Sequence, residues 1–211
     1  DWAEAWFERG VQRADLRRHA EAVEDFGRAI ALDPAFVYAY YRRADCYRDG
    51  LKQLDLARPD YRKVVELDPD SEHGHSAQGI LSWLDGSYAE AIPGFDRSLA
   101  INPRQPYMWH NRATCRLFLA DFPRAIEDWT RAIELLPGVP DFWKNLGFVH
   151  EQMENWRKAH ECYREAVRLG PEDAEIHRGL GVTHLKLGRG DAALREFDEA
   201  IRLRPAWPDP H

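Results

Sequence analysis

The 211-residue sequence is poor in several residue types, and each scarcity excludes a class of protein. It has only three cysteines, Cys46, Cys115 and Cys162, which are too few for a disulfide-stapled scaffold. We expect them to be small buried thiols in a reducing compartment, which favours a cytoplasmic location. Apolar residues make up 44% of the chain but never form the run of about 20 that a membrane span needs, so we expect no membrane association. Because the chain begins at Asp1 rather than at methionine, we expect a fragment or a processed protein.

Basic stretches are also missing. The formal net charge is −7, and acidic and basic residues alternate along most segments. Nucleic-acid binding needs a stripe or patch of positive charge, whereas mixed charges are typical of solvated helix faces. We therefore predict no nucleic-acid partner.

Sequence motifs for chemistry are absent as well. The chain contains no CxxC or HExxH metal motif, no glycine-rich phosphate loop and no nucleophile elbow. His177 and His184 are seven residues apart and would share a helix face, but packing is the simpler role for them. The sequence thus predicts no cofactor, no metal site and no catalytic activity.

What the chain does have is an internal period. Six prolines follow one another at intervals of 35, 34, 34, 34 and 34 residues: Pro34, Pro69, Pro103, Pro137, Pro171 and Pro205. An alanine lies twelve residues before each of them, and an aromatic residue lies eight before: Phe26, Tyr61, Phe95, Trp129, Tyr163 and Phe197. Such self-similarity is the signature of a repeat architecture.

Each period predicts two helices. In the segment 156–169, apolar residues recur at the three-and-four spacing of an amphipathic helix, and the following proline ends it. Turn-forming stretches separate this helix from the one before it. The second period has one extra residue, which we place in the turn region at 49–54.

The residues Trp143, Leu146, Gly147, Ala159, Tyr163, Ala166 and Pro171 show the pattern most completely, and it resembles the tetratricopeptide repeat. The resemblance implies an all-α, right-handed superhelical solenoid of antiparallel helix pairs. It implies a single array over residues 3–205, with six repeats at about 3–36, 37–71, 72–105, 106–139, 140–173 and 174–207 and a tail at 208–211.

In this family the first helices of successive repeats line a concave groove. Carried onto this sequence, the groove positions are Tyr41, Asp45, Arg48, Ile80, Trp83, Tyr107, His110, Asn111, Thr114, Lys144, Asn145, Phe148 and Arg178. An apolar middle with charged flanks favours a peptide or a partner helix with hydrophobic anchors. Some of these residues could instead pack between neighbouring repeats.

Two of the repeats share the phrases WHNRA (109–113) and WKNLG (143–147). Trp109 and Trp143 occupy the position where the family packs a large aromatic. Asn111 and Asn145 resemble the asparagine ladder that holds a ligand backbone in some members; solvated or capping asparagine is the alternative. The carboxylate clamp for chaperone tails is disfavoured, because no window of three repeats completes its basic and asparagine positions.

We therefore interpret the chain as a protein–protein interaction scaffold and not an enzyme. The alternative is a regulatory or substrate-docking arm of a larger enzyme, such as a kinase or a glycosyltransferase. A second hypothesis concerns the last repeat. Leu194 and Ile201 lie where a following repeat would pack, and after Pro205 only AWPDPH remains. This predicts self-association through the C-terminal repeat, or further helices in a longer protein.

Overall fold

The structure is a computed structural model that describes residues 2–204, and this part of the chain is almost entirely helical. It contains twelve α-helices: α1 Trp2–Asp15, α2 His19–Leu32, α3 Val37–Asp45, α4 Leu54–Leu67, α5 Glu72–Leu84, α6 Tyr88–Ile101, α7 Pro106–Phe118, α8 Phe122–Leu135, α9 Pro140–Gln152, α10 Trp156–Leu169, α11 Ala174–Lys186 and α12 Gly190–Leu203. Pro205 and the tail at 208–211 lie outside the described residues.

The chain divides into two compact units, and the boundary falls between Arg104 and Gln105. Unit 1 contains α1–α6 and unit 2 contains α7–α12. Within each unit, every odd-numbered helix packs against the even-numbered helix that follows it. Each even-numbered helix also packs against the next odd-numbered helix of its unit. The predicted helix pairs are thus present, and α10 coincides with the predicted segment 156–169.

One turn geometry joins the two helices of every pair. Its residue with positive φ recurs at Arg17, Lys52, Gly86, Ala120, Glu154 and Gly188. In five pairs the following backbone N–H donates to the carbonyl five residues earlier, as Asn155 does to His150 at 2.8 Å. This is the Schellman ending of a helix, which satisfies its last carbonyl groups.

The second pair accommodates its extra residue in the helix end itself. Cys46–Gly50 forms a π-helical turn that continues α3, in which the hydrogen bonds span five residues. The closing bond then spans one residue more than elsewhere, from Gln53 N to Tyr47 O at 2.7 Å. The insertion therefore begins before the turn region at 49–54, because the helix widens before it ends.

The core of each of the first five pairs is built around the periodic aromatic residue of the second helix, whereas Phe197 of the sixth pair is only half-buried. Phe26, Tyr61 and Phe95 are buried in unit 1, and Trp129 and Tyr163 are buried in unit 2. Small residues face these rings: a Cβ atom added at Gly179 would lie 2.5 Å from Cζ of Tyr163. Such contact leaves no room for a larger residue, which explains the glycines and alanines of the pattern.

Buried ion pairs cross three of the six helix pairs. In each of them, the aspartate that directly precedes the core aromatic accepts two hydrogen bonds from an arginine of the first helix. The pairs are Arg9 with Asp25, Arg43 with Asp60 and Arg112 with Asp128. The fifth pair has Leu146 and Cys162 at these two offsets, both buried. Apolar residues thus replace the ion pair in the fifth pair.

The three cysteines are free and buried, as predicted. Burial raises the pKa of the Cys46 thiol to about 11 and that of Cys115 and Cys162 to about 12. Protonated thiols of this kind are unreactive core residues.

Candidate functional site

The first helices of unit 2 carry a set of candidate residues, which we call the unit 2 face. Its residues are Tyr107, His110, Asn111, Thr114, Phe118, Lys144, Asn145, Phe148, Glu151 and Arg178, from α7, α9 and α11. Neighbouring first helices touch through side chains. The Tyr107 ring lies 5.6 Å from the Phe142 ring, and Lys144 Nζ lies 2.9 Å from Asp173 Oδ2 at the start of α11.

Aromatic side chains give this face its apolar character. Tyr107 is 53% exposed and Phe118 is 59% exposed, one at each end of α7. Phe148 on α9 is half-buried. Exposed aromatics on one helix side supply anchors for an apolar partner segment, because their burial removes a large area from water.

The two asparagines differ in their surroundings. Nδ2 of Asn111 is buried and has no hydrogen-bond partner within residues 2–204. Asn145 is half-buried at the equivalent position of α9. A buried amide donor without a partner carries a desolvation cost that a new acceptor would relieve.

The tryptophans beside these asparagines have the packing role that the sequence predicted. Trp143 contacts both apolar clusters of unit 2, and its Nε1 donates to the Pro137 carbonyl at 3.0 Å. Trp109 packs against the cluster around Trp129.

His110 and Thr114 are held by internal contacts. Nδ1 of His110 accepts a hydrogen bond from Nε1 of Trp129 at 3.0 Å, and its ring lies 5.1 Å from that of Phe142. The Thr114 hydroxyl donates to the His110 carbonyl at 2.9 Å. Both residues therefore shape the face more than they offer free polar groups.

Charged residues surround the apolar part. Nζ of Lys144 lies between Asp141 and Asp173, at 2.7 Å and 2.9 Å. Burial lowers the pKa of Lys144, but the hydrogen bonds to the two carboxylates outweigh it, so the pKa is raised and the amine is charged. Glu151 accepts a hydrogen bond from the Tyr163 hydroxyl at 2.7 Å, while Arg178 is exposed. Asp173 was not singled out from the sequence, because it lies outside the first helix.

In unit 1 the candidate residues are more enclosed. Ile80 is fully buried, and Tyr41 is buried with its ring 4.8 Å from His73. Burial agrees with the packing alternative noted from the sequence, and the binding surface proposed below does not include these two residues. Trp83 is half-buried, and its Nε1 has no partner among the described residues.

Asp45 and Arg48 belong to one polar cluster at the π-helical turn. Asp45 accepts a hydrogen bond from the Tyr61 hydroxyl at 2.6 Å and lies 3.4 Å from Nη2 of Arg48. Burial raises the pKa of Asp45, although Arg48 and Tyr61 counteract it. Arg48 also forms a bidentate pair with Asp49. With their polar atoms paired, these residues stabilise the turn.

Among residues 2–204, no three His, Cys, Asp or Glu side chains come together in a way that could hold a metal ion. Nor does this part of the chain contain a helix long and apolar enough to cross a membrane.

Antiparallel helix pairs with one recurring turn and one recurring core aromatic define an α-helical repeat protein. The family model described as Tetratricopeptide repeat matches residues 7–72, 50–106 and 149–209, which is more than half of the sequence. The chain belongs to the tetratricopeptide repeat family, and the predicted fold class is confirmed.

Curated relatives match parts of the chain. DnaJ homolog subfamily C member 7 of Mus musculus is 38% identical over 71 residues, which cover 34% of this chain and 14% of that protein. Hsp70-Hsp90 organizing protein 3 of Arabidopsis thaliana is 32% identical over 88 residues, 42% of this chain and 16% of that protein. The chain thus matches less than a fifth of the length of either relative.

Solved structures match nearly the whole chain. A chain of the APC/C hetero-tetramer Cut9-Hcn1 has a TM-score of 0.83 at 18% identity, with 97% of this chain and 40% of the other covered. PilW, a type IV pilus biogenesis factor, has a TM-score of 0.78 at 20% identity, with 97% and 94% covered. YrrB, a TPR protein with an unusual peptide-binding site, has a TM-score of 0.63 at 21% identity, with 87% and 94% covered. At these identities the likeness shows the fold.

Proposed function

We propose that this chain is a scaffold that binds a segment of a partner protein on the unit 2 face. Membership of the tetratricopeptide repeat family supports protein binding in general, as do relatives whose names include an organizing protein. The observation that carries the proposal is local: α7 exposes Tyr107 and Phe118 on the side that holds the unpartnered amide of Asn111.

The apolar and polar parts of the face have different roles in this proposal. Tyr107, Phe118 and Phe148 provide the contact area for hydrophobic side chains of the partner. Asn111 and Asn145 pair with its backbone, because one amide side chain offers both a donor and an acceptor. Asn111 is half-exposed as a residue, so a side-chain rotation can present its buried Nδ2 to a ligand.

The proposal also concerns the chemical class of the partner and the cellular compartment. We propose that the partner is a protein or peptide and not nucleic acid, since acidic residues outnumber basic ones by 36 to 29. The three buried free thiols support a reducing compartment such as the cytoplasm. The chaperone-tail clamp stays disfavoured, because Lys144 is paired with Asp141 and Asp173.

Site-specific photo-cross-linking tests where a partner binds. The photo-reactive amino acid p-benzoylphenylalanine is placed at Tyr107 or at Phe118, one at a time, and the cross-linked peptides are identified by mass spectrometry. We expect both positions to capture the same partner segment, because they lie on one side of one helix.

A matched control uses Leu32, which is exposed to a similar degree on the second helix α2. We expect no cross-link from Leu32 to that segment. Capture of the segment from Leu32 with equal yield, or no specific capture from α7, would contradict the proposal.

A docking arm of a larger enzyme is the alternative function. This chain matches only 14% and 16% of the length of two curated relatives, which leaves room for this alternative. The two functions differ in the covalent context of the chain and not in the proposed contact surface. Sequencing the gene around this segment would separate them, since an adjoining catalytic domain is required by the second.

A further inference from the structure

A second candidate site lies in unit 2, away from the unit 2 face. It is a crevice between α10, α11 and the turn before α12, which we call the two-histidine crevice. Its lining residues are His160, Arg164, Val167, Arg168, Leu180, His184, Arg189 and Glu196. None of them belongs to the unit 2 face.

Two imidazole rings meet in this crevice without a hydrogen bond. The His160 and His184 rings lie 4.6 Å apart at an interplanar angle of 77°. Nε2 of His160 and Nδ1 of His184 are buried and have no hydrogen-bond partner among residues 2–204. Buried ring nitrogens usually have a hydrogen-bond partner, so these two nitrogens keep unused hydrogen-bonding capacity for a ligand.

The charge around the rings is predominantly positive. Arg164 and Arg189 are exposed, and within the described chain neither forms an ion pair. Arg168 donates to Glu165 at 2.8 Å. The one carboxylate in the crevice, that of Glu196, is already bound to Nδ1 of His177 at 2.8 Å.

The surroundings also lower the pKa of both imidazoles. Burial lowers the pKa of His160, and His184, Arg189 and Arg164 lower it further, while Glu161 opposes them. Burial likewise lowers the pKa of His184; Glu196 raises it, and Arg189, Arg195 and Arg164 lower it. An anion bound beside the rings would oppose both effects, because negative charge favours protonated imidazoles.

We propose that the two-histidine crevice binds a phosphate-class oxyanion, held by Arg164, Arg189 and the two imidazoles. Four donors on α10, α11 and the following turn suit an anion with acceptor oxygens pointing in several directions. A phosphate group has three such oxygens and up to two negative charges, whereas a carboxylate has two oxygens in one plane. A metal cation fits poorly, because both arginines repel it.

The site makes binding depend on pH. A neutral imidazole offers one donor, whereas protonation makes both ring nitrogens donors and adds a positive charge. Phosphate binding therefore raises the pKa of His160 and His184, and the imidazoles contribute more to the affinity as the pH falls from 7.5 towards 6. The proposal does not rest on the function proposed for the unit 2 face, since the two sites share no residue.

Histidine NMR measures this coupling directly. The ring Cε1–H signals are followed during titration with sodium phosphate, against sodium chloride of equal ionic strength, and His160→Gln and His184→Gln assign them. We expect both signals to move in a saturable way with one dissociation constant, while the signal of His73 in unit 1 stays in place. A parallel titration with O-phosphoserine distinguishes the two sources of the anion. Tighter binding of O-phosphoserine would indicate a phosphorylated side chain, whereas equal or tighter binding of phosphate would indicate the free ion.

The double variant Arg164→Gln with Arg189→Gln removes the guanidinium groups without touching the rings. We expect it to weaken phosphate binding about tenfold or more, because two charge-assisted hydrogen bonds are lost. The matched control, Arg62→Gln with Arg97→Gln, removes the same charge from exposed positions in unit 1. Signals that do not saturate with phosphate, signals that move equally with chloride, or equal weakening in both double variants would overturn the proposal.

Discussion

The carboxylate of Asp128 accepts two hydrogen bonds from the guanidinium group of Arg112, from Nε at 2.9 Å and from Nη2 at 2.7 Å. Arg116 adds a third contact at 2.7 Å, and Asp128 is only 1% exposed. The pair ties α7 to α8 next to the core residue Trp129. The same arrangement recurs with Arg9 and Asp25 and with Arg43 and Asp60, so it is a structural element of the repeat.

Asp128→Ala should therefore destabilise unit 2 by about 3 kcal/mol, the lower end of the range for breaking a buried pair. The lower end applies because both arginines keep some contact with water. Urea denaturation followed by circular dichroism measures the change. Asp198→Ala, at an exposed position on α12, is the control and should alter the free energy of unfolding by less than about 0.5 kcal/mol. A similar, small change in both variants would show that the pair contributes no stability.

Ala159→Leu tests the packing of the repeat. Ala159 is fully buried in the cluster with Tyr163, Ala166, Ile176 and Leu180, so the larger side chain has no space. We expect a loss of about 1–3 kcal/mol in the free energy of unfolding. Arg157→Leu adds the same side chain to an exposed position of the same helix and should be close to neutral. Unchanged thermal stability of Ala159→Leu would contradict the assigned repeat register.

The stability of the fold should decrease as the pH falls from 7 to 5. Burial, together with Lys158, lowers the pKa of His150 below its ordinary value of 6.5, and Nδ1 of this residue is buried without a partner in the described chain. His150 therefore takes up a proton less readily in the folded state than in the unfolded state, which favours the unfolded state as the pH falls below 6.5. His73, His160 and His184 act in the same direction.

His150→Gln removes one of these groups. Urea denaturation at pH 7, 6 and 5 should show a smaller decrease in the free energy of unfolding for the variant than for the original protein. The slope is the relevant quantity, because the substitution also changes packing. Parallel curves for the two proteins would mean that His150 is equally protonated in both states.

The C-terminal helix exposes an apolar surface. Leu194 is 63% exposed and Ile201 is 66% exposed, as their positions in the repeat predict. The equivalent residue of Ile201 in the preceding repeat, Val167, packs against the cluster that contains Ile176 of the next first helix. We expect two chains to associate through this surface, with an equilibrium that depends on concentration.

Sedimentation equilibrium tests the association. Leu194→Lys with Ile201→Lys should reduce the average mass to the 24.5 kDa of one chain. The control Leu32→Lys with Ile101→Lys changes a similarly exposed pair on the second helices of unit 1 and should leave the association intact. A strictly monomeric original protein at high concentration would argue against it.

The fold could be predicted from the sequence because its constraints are periodic. The proline that ends each second helix and the aromatic eight residues earlier recur at a fixed interval, and α10 begins and ends where the pattern placed it. The turns were harder to define. Only Gly86 and Gly188 reveal the positive φ, whereas Arg17, Lys52, Ala120 and Glu154 adopt it without glycine. The π-helical turn at Cys46–Gly50 has no local signature either, since an insertion shows only as a longer interval.

The candidate site was less predictable for a physical reason. Family offsets indicate the side of the helix on which a residue lies, but not whether a neighbour covers it. Tyr41 and Ile80 occupy such offsets and are buried, whereas Tyr107 occupies a different groove offset and is exposed. In the sequence, Arg112 and Asp128 are only two opposite charges sixteen residues apart. That spacing indicates an ion pair only once α7 and α8 are known to pack together.

The central claim is that the unit 2 face binds a partner segment through Asn111 and Asn145. Its most direct test is calorimetry with the segment captured by photo-cross-linking, using the double variant Asn111→Ala with Asn145→Ala. Each lost neutral hydrogen bond is worth roughly 0.5–1.5 kcal/mol, so the variant should bind about 1–3 kcal/mol more weakly while its helical circular dichroism is unchanged. An affinity equal to that of the original protein, with helicity preserved, would contradict the claim.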